Sequence, residues 1–110
     1  MADEATVPER EAIRSLAKQL DRVVTTKTVE FDLMGRGLTK ADVCDEIVDW
    51  IDAGERVKGT TIQKIPNLNG QRAFEMKPRV GGKLFYIKVM IRRGDDSDDS
   101  LLVLSFHLDH

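Results

Sequence analysis

Residues 54–93 carry ten bases (Arg56, Lys58, Lys64, Arg72, Lys77, Arg79, Lys83, Lys88, Arg92, Arg93) and two acids, Glu55 and Glu75. That is a local charge of +8 in a chain whose formal net charge is -2, because the other residues hold 17 of the 19 acids and 7 of the 17 bases. Such segregation lets a weakly acidic protein present a basic face, the electrostatic footprint of a phosphate-binding surface. Beside these cations stand one tyrosine, Tyr86, and two histidines, His107 and His110. RNA cleavage without a metal asks for such an inventory: a base for the 2′-hydroxyl proton, cations for the charged phosphorane and an acid for the leaving 5′-oxygen. DNA, lacking the 2′-hydroxyl, is not cut this way.

Other chemistries lack their residues. Gly35-Arg36-Gly37 and Gly81-Gly82 have neither the spacing nor the strand-to-helix context of a nucleotide-binding loop. Ser105 stands in no nucleophile elbow, and His107 follows it by two residues on the same predicted strand. A single cysteine, Cys44, excludes an internal disulfide, and two histidines make no zinc-ligand cluster, so no metal or cofactor is expected. No apolar run approaches the ~20 residues that span a bilayer, and Met1-Ala2-Asp3-Glu4 lacks a secretory signal's basic and apolar regions. The expectation is a cytoplasmic protein with no membrane partner.

The 110 residues suffice for one core, predicting a single domain over 1–110. Residues 1–7 are small or acidic and are expected to be disordered. From Pro8 a helix is predicted, since Ile13, Leu16, Ala17, Leu20, Val23 and Val24 make one apolar stripe. The segment 29–34 fits a strand by alternation and a short helix by the spacing of Val29, Leu33 and Phe31, Met34; the helix is taken. Thr39 with Asp42 three residues on marks an N-cap, and Val43, Cys44, Ile47, Trp50 and Ile51 form a core-facing stripe up to Gly54. The period then changes to two, predicting strands over 57–64, 71–77, 83–93 and 101–106. The loops Pro66-Asn67-Leu68-Asn69-Gly70 and Arg79-Val80-Gly81-Gly82 favour hairpins, and the acidic run 95–99 a solvated loop. The predicted fold class is α+β: two or three N-terminal helices over 8–53, packed on a four-stranded antiparallel sheet over 54–110. One sheet face meets the helices, and the other carries the basic and polar side chains. Phe85, Ile87, Val89 and Ile91 alternate with Leu84, Tyr86, Lys88, Met90 and Arg92, while Leu102, Leu104 and Phe106 mark one face of the last strand.

Several fragments, in the same order and at similar separations, resemble the MqsR-like mRNA interferase toxins of the wider RelE-like and colicin-like ribonuclease group. They are Val24-Thr25-Thr26-Lys27, Gly37-Leu38 followed by Cys44 and Ile47, Val57-Lys58-Gly59-Thr60-Thr61, Phe85-Tyr86-Ile87-Lys88-Val89 and Leu104-Ser105-Phe106-His107. The resemblance implies a toxin of a toxin–antitoxin pair with a RelE-like fold: an endoribonuclease, and so a hydrolase, that cleaves mRNA, with or without the ribosome. Its partners would be RNA and a cognate antitoxin protein. It makes Lys58 the motif lysine and Tyr86 the strand tyrosine. The family's closing Ser-Phe-Lys is Ser105-Phe106-His107 here, its glutamine has Gln71 nearby but out of register, and Val57 replaces the aromatic residue before the motif lysine. An imidazole in place of an ammonium still serves as acid or base, an ordinary imidazole titrating near pH ~6.5.

The expected catalytic residues are therefore Lys58, Tyr86 and His107, and the expected RNA-binding residues are Arg72, Gln71, Lys77, Lys83 and Lys88. Plain solvated strand surface is the alternative for Lys58, Arg72 and Lys88, and Cys44 and Trp50 read as core. The rival readings are a non-catalytic RNA-binding or protein-binding module using the same basic face, and a solitary regulator of an acidic partner.

Overall fold

Two reciprocal caps set the first and third helices. In a computed structural model that describes residues 3–95 and 98–109, α1 spans Val7–Ala17 with Thr6 as N-cap. The Thr6 amide donates to Glu9 Oε1 at 2.8 Å while the Glu9 amide donates to Thr6 Oγ1 at 3.3 Å, and Pro8 occupies the first turn. A second helix, α2, spans Lys27–Met34 behind N-cap Thr26. The third, α3, spans Lys40–Asp52 with the same box built from Thr39 and Asp42. Thr39→Ala removes an acceptor for a first-turn amide, so thermal denaturation should show a loss of about 1 kcal/mol.

The buried faces follow most of the predicted stripes, with Ile13, Leu16 and Ala17 of α1, Val29 and Leu33 of α2, and Val43, Cys44, Ile47 and Ile51 of α3, whereas Leu20 of the first stripe lies beyond the end of α1 and is exposed. The helical alternative for 29–34 is the one adopted, with Phe31 and Met34 left exposed. Among the described residues, no helix is long and apolar enough to cross a membrane.

The sheet comprises β1 (Val23–Thr25), β2 (Lys58–Thr61), β3 (Arg72–Met76), β4 (Arg79–Val80), β5 (Lys83–Arg92) and β6 (Ser100–Leu108), in the order β1-β6-β5-β3-β2 with β4 paired to β5. The four predicted strands pair antiparallel as expected, in the meander β2-β3-β5-β6. The sheet is nevertheless mixed and six-stranded among the described residues, not four-stranded and antiparallel. Val23 and Val24 do not prolong α1, which stops at Ala17. After a 3₁₀ turn at Leu20–Arg22, the β-branched Val23-Val24-Thr25 pairs in parallel with Leu101, Leu102 and Val103. The short β4 folds back on β5 because Gly81 and Gly82 adopt φ of 59° and 81°.

The N-terminus also departs from expectation. Met1 and Ala2 lie outside the described residues, but residues 3–5 run along β2: the Ala5 amide donates to Val57 O at 2.9 Å, the Gly59 amide donates to Asp3 O at 3.2 Å, and Glu4 bridges Lys58 in antiparallel sense.

A β-bulge in β6 decides which side chains share a face. Lys88 pairs with Ser105, yet Val89 pairs with Val103, so Leu104 is the extra residue. The predicted grouping of Leu102, Leu104 and Phe106 is therefore split. Phe106 lies in the main core beneath the helices, its ring stacked 4.9 Å from that of Phe85. Leu102 and Leu104 instead join Ile62, Ala73 and Met90 in a small apolar cluster flanked by Leu68. The sheet face away from the helices is accordingly apolar at one end and polar at the other, not polar throughout.

Candidate active site

Strand register assembles the polar end. Lys58 of β2 pairs with Glu75 of β3, Glu75 with Lys88 of β5, and Lys88 with Ser105 of β6. Neighbours directly across strands share a face, so the four side chains form a row across the sheet. Two residues along that face, Tyr86 pairs with His107. The bulge at Leu104 permits this row, since without the extra residue Ser105 and His107 would fall out of phase with Lys88 and Tyr86.

Glu75 is the hub. Its Oε2 accepts a 2.6 Å hydrogen bond from the Tyr86 hydroxyl, and Lys58 Nζ lies 3.8 Å from its Oε1. The Tyr86 and His107 rings stack with centroids 5.1 Å apart. His107 Nδ1 lies 2.9 Å from Leu108 O; with a proton on Nδ1 it donates there, which orients the ring and leaves Nε2 for a ligand. Burial, then the hydrogen bond to Glu75 and the charges of Glu75 and Asp109, push the Tyr86 phenol above its ordinary range. At neutral pH its hydroxyl is a donor, not a base.

Two hollows border the row. One, of about 250 Å³, is lined by Trp50, Arg56, Lys58, Glu75 and Lys77. Trp50 donates its indole N–H to Arg56 O at 2.9 Å, so this half-exposed ring stands at the cleft mouth as well as packing on the core. The other, of about 460 Å³, runs past residues 60–65 to Lys88, Leu104 and Ser105. A larger hollow of about 540 Å³ between α1 and α3 contains Asp45 and Asp49 and none of these groups. Cys44 faces it, but burial pushes the thiol up to about 11, consistent with the core role read from the sequence.

Lys58, Tyr86, His107 and Lys88 thus converge, and Lys77 stands at the margin with its Nζ 3.4 Å from Asp109 Oδ2. Arg72 does not join them. It shares the helix-side face with Phe74, over whose ring its guanidinium lies at 5.2 Å, and it binds the carboxylates of Asp3 and Glu9. Hydrogen bonds from Arg72 hold both carboxyls below their ordinary range. Gln71 lines the same small cleft as Arg72, and Lys83 is exposed at the β4–β5 hairpin. Glu75 was not among the expected site residues. Its signal was its place as one of two acids in the basic segment, inside a strand. Among the described residues, no group of three or more His, Cys, Asp or Glu is placed to hold a metal ion.

No family model, curated protein or solved structure matches the chain.

Proposed function

We propose that this protein is a toxin-type endoribonuclease that cuts mRNA without a metal, built on a RelE-like arrangement of helices and meander and restrained by a cognate antitoxin. The observation that carries the reading is the shared sheet face on which Lys58 and Lys88 neighbour Glu75 across the strands, Tyr86 bonds Glu75 and His107 stacks on Tyr86. A carboxylate and an imidazole on either side of one tyrosine supply both partners of acid–base cleavage. Glu75 takes the 2′-hydroxyl proton as the 2′-oxygen attacks phosphorus. His107, protonated, gives its proton to the 5′-oxygen as the P–O5′ bond breaks, leaving a 2′,3′-cyclic phosphate and a 5′-hydroxyl. Lys58 and Lys88 flank Glu75 and stabilise the charge that builds on the phosphorane, and the Tyr86 hydroxyl adds a neutral donor. The 250 Å³ cleft beside Trp50 and the groove past residues 60–65 receive the strand on either side.

A specific observation favours the binding-module reading as the second. Lys58 and Tyr86 are both engaged by Glu75, so the face binds phosphate only where RNA competes for those groups. One assay separates the two readings: purified protein with labelled mixed-sequence RNA in EDTA, beside a Lys58→Ala/Tyr86→Ala double variant prepared identically. Wild type is expected to yield cyclic-phosphate ends and the variant none. Intact RNA that is nonetheless bound with steep salt dependence would leave the module reading standing.

A further inference from the structure

The edge of β2 next to the candidate site is occupied by the chain's own N-terminus. Residues 3–5 add to it as a short antiparallel strand through the two backbone hydrogen bonds and the Glu4–Lys58 bridge already described. Strand alternation then sorts the side chains. Ala5 packs against the main core, and Asp3 points to the helix side, where Arg72 binds it. Glu4 lies on the Lys58 side, its carboxylate 2.7 Å from Arg56 Nε. Arg56 lines the cleft shared by Lys58 and Glu75. An acid supplied by the arm therefore holds a cleft cation where a phosphate would go.

The arm's two side-chain attachments are both partly in solvent and differ in how many carboxylates meet the cation. Arg72 is bound by Asp3 and Glu9 together, and the space they use exists because position 59 is glycine: a Cβ there would stand 2.7–2.9 Å from the Arg72 guanidinium nitrogens and the Asp3 carboxylate. The Glu4–Arg56 pair is half-exposed on both sides, with 60% and 52% of the side chains in solvent. Pairs of that kind contribute little and exchange readily for another anion.

We propose that residues 3–5 are an internal strap, an acidic strand that occupies the β2 edge, holds Arg56 against Glu4 and yields it when single-stranded RNA binds along the face. The proposal rests on the RNA reading of the site. Detachment removes one negative charge from the RNA path and returns one cation to it.

The test uses the full chain and a fluorescein-labelled, 2′-O-methyl single-stranded oligonucleotide, which binds but is not cut. Wild type is compared with Asp3→Asn/Glu4→Gln and with Asp45→Asn/Asp49→Asn, which makes the same charge change on the exposed face of α3. The strap variant should bind about 3- to 10-fold tighter, its log–log salt slope steeper by roughly 0.7 for the one released cation. The α3 variant should change by less than about twofold. In wild type, the oligonucleotide should accelerate hydrogen exchange at the Ala5 and Gly59 amides. Equal gains in both variants, or wild-type binding with those two amides unchanged, overturn the strap and leave the RNA reading intact. Absence of binding in all three proteins overturns the RNA reading and the strap with it.

Discussion

Glu75→Gln is expected to lower the rate of RNA cleavage by about 10²- to 10⁴-fold while RNA affinity stays the same or rises. The range is that of a lost general base, and the two effects separate because the substitution removes a proton acceptor and no cation. Glutamine keeps the shape and can still accept from the Tyr86 hydroxyl, so the 2.6 Å bond that holds the ring is replaced rather than lost. Lys58 loses its carboxylate neighbour and faces the phosphate alone. His107→Ala should cause a loss of similar size for a different reason, the missing acid for the 5′-oxygen. An activated uridine 3′-aryl phosphodiester, whose leaving group departs without a proton, tells the roles apart: it should restore most of the rate of His107→Ala and none of that of Glu75→Gln. Tyr86→Phe keeps the stack on His107 and loses one hydroxyl, so its effect should be nearer tenfold, the size of one hydrogen bond of about 1.4 kcal/mol. Should Glu75→Gln cut RNA at the wild-type rate, the carboxylate serves only to hold Tyr86 and Lys58, and the base lies elsewhere.

The contrast between Lys58 and Glu75 marks how far the sequence was legible. Lys58, Tyr86 and His107 could be singled out by residue type, local charge and short fragments, and the strands bearing them by their period of two. That Glu75 stands between them depends on the register of three strand pairs, and the phase of β6 depends on a bulge at Leu104 that no alternation announces. Where contacts are local, sequence and structure agree to within a residue: α1 starts at Val7 against a predicted start at Pro8, and α3 has the predicted Thr39–Asp42 cap. Where the partner is distant they do not. The parallel pairing of Val23 with Leu101 links residues 78 positions apart, and three β-branched or hydroxylated residues at the end of a helical stripe carry no sign of it. Arg72 is the same case in electrostatic form. Read alone it is a cation in a basic strand, but its carboxylate partners lie 63 and 69 residues away, Glu9 in the first helix and Asp3 in a segment whose composition suggests disorder. Backbone pairing and ion pairs to β2 and β3 order that segment, and these arise only once the sheet exists.

Phe106→Ala should be the most destabilising single substitution on β6, by about 3–5 kcal/mol, read as a fall of roughly 12–20 °C in Tm at about 4 °C per kcal/mol for a domain of this size. Three features combine at this position. The ring is 1% exposed in the main core, it stacks on Phe85, and it lies between Ser105 and His107, whose side chains occupy the opposite face. Removing it leaves a cavity under the middle of the sheet, where β5 and β6 hold each other in the longest ladder of the molecule and cannot easily collapse. Leu102→Ala, on the far face, should cost less. Leu102 keeps 8% of its surface in solvent, is smaller than phenylalanine and belongs to the small cluster of Ile62, Ala73, Met90 and Leu104, so less apolar contact is lost. Against a total stability of about 5–15 kcal/mol for ordinary domains, the Phe106 loss is a large fraction, whereas Phe106→Leu, keeping most of the volume, should lose much less. Urea denaturation of the three variants orders these effects. Equal losses at Phe106 and Leu102 would mean that the two sheet faces contribute alike, and that the helix-covered core is not the principal support of the strand carrying His107.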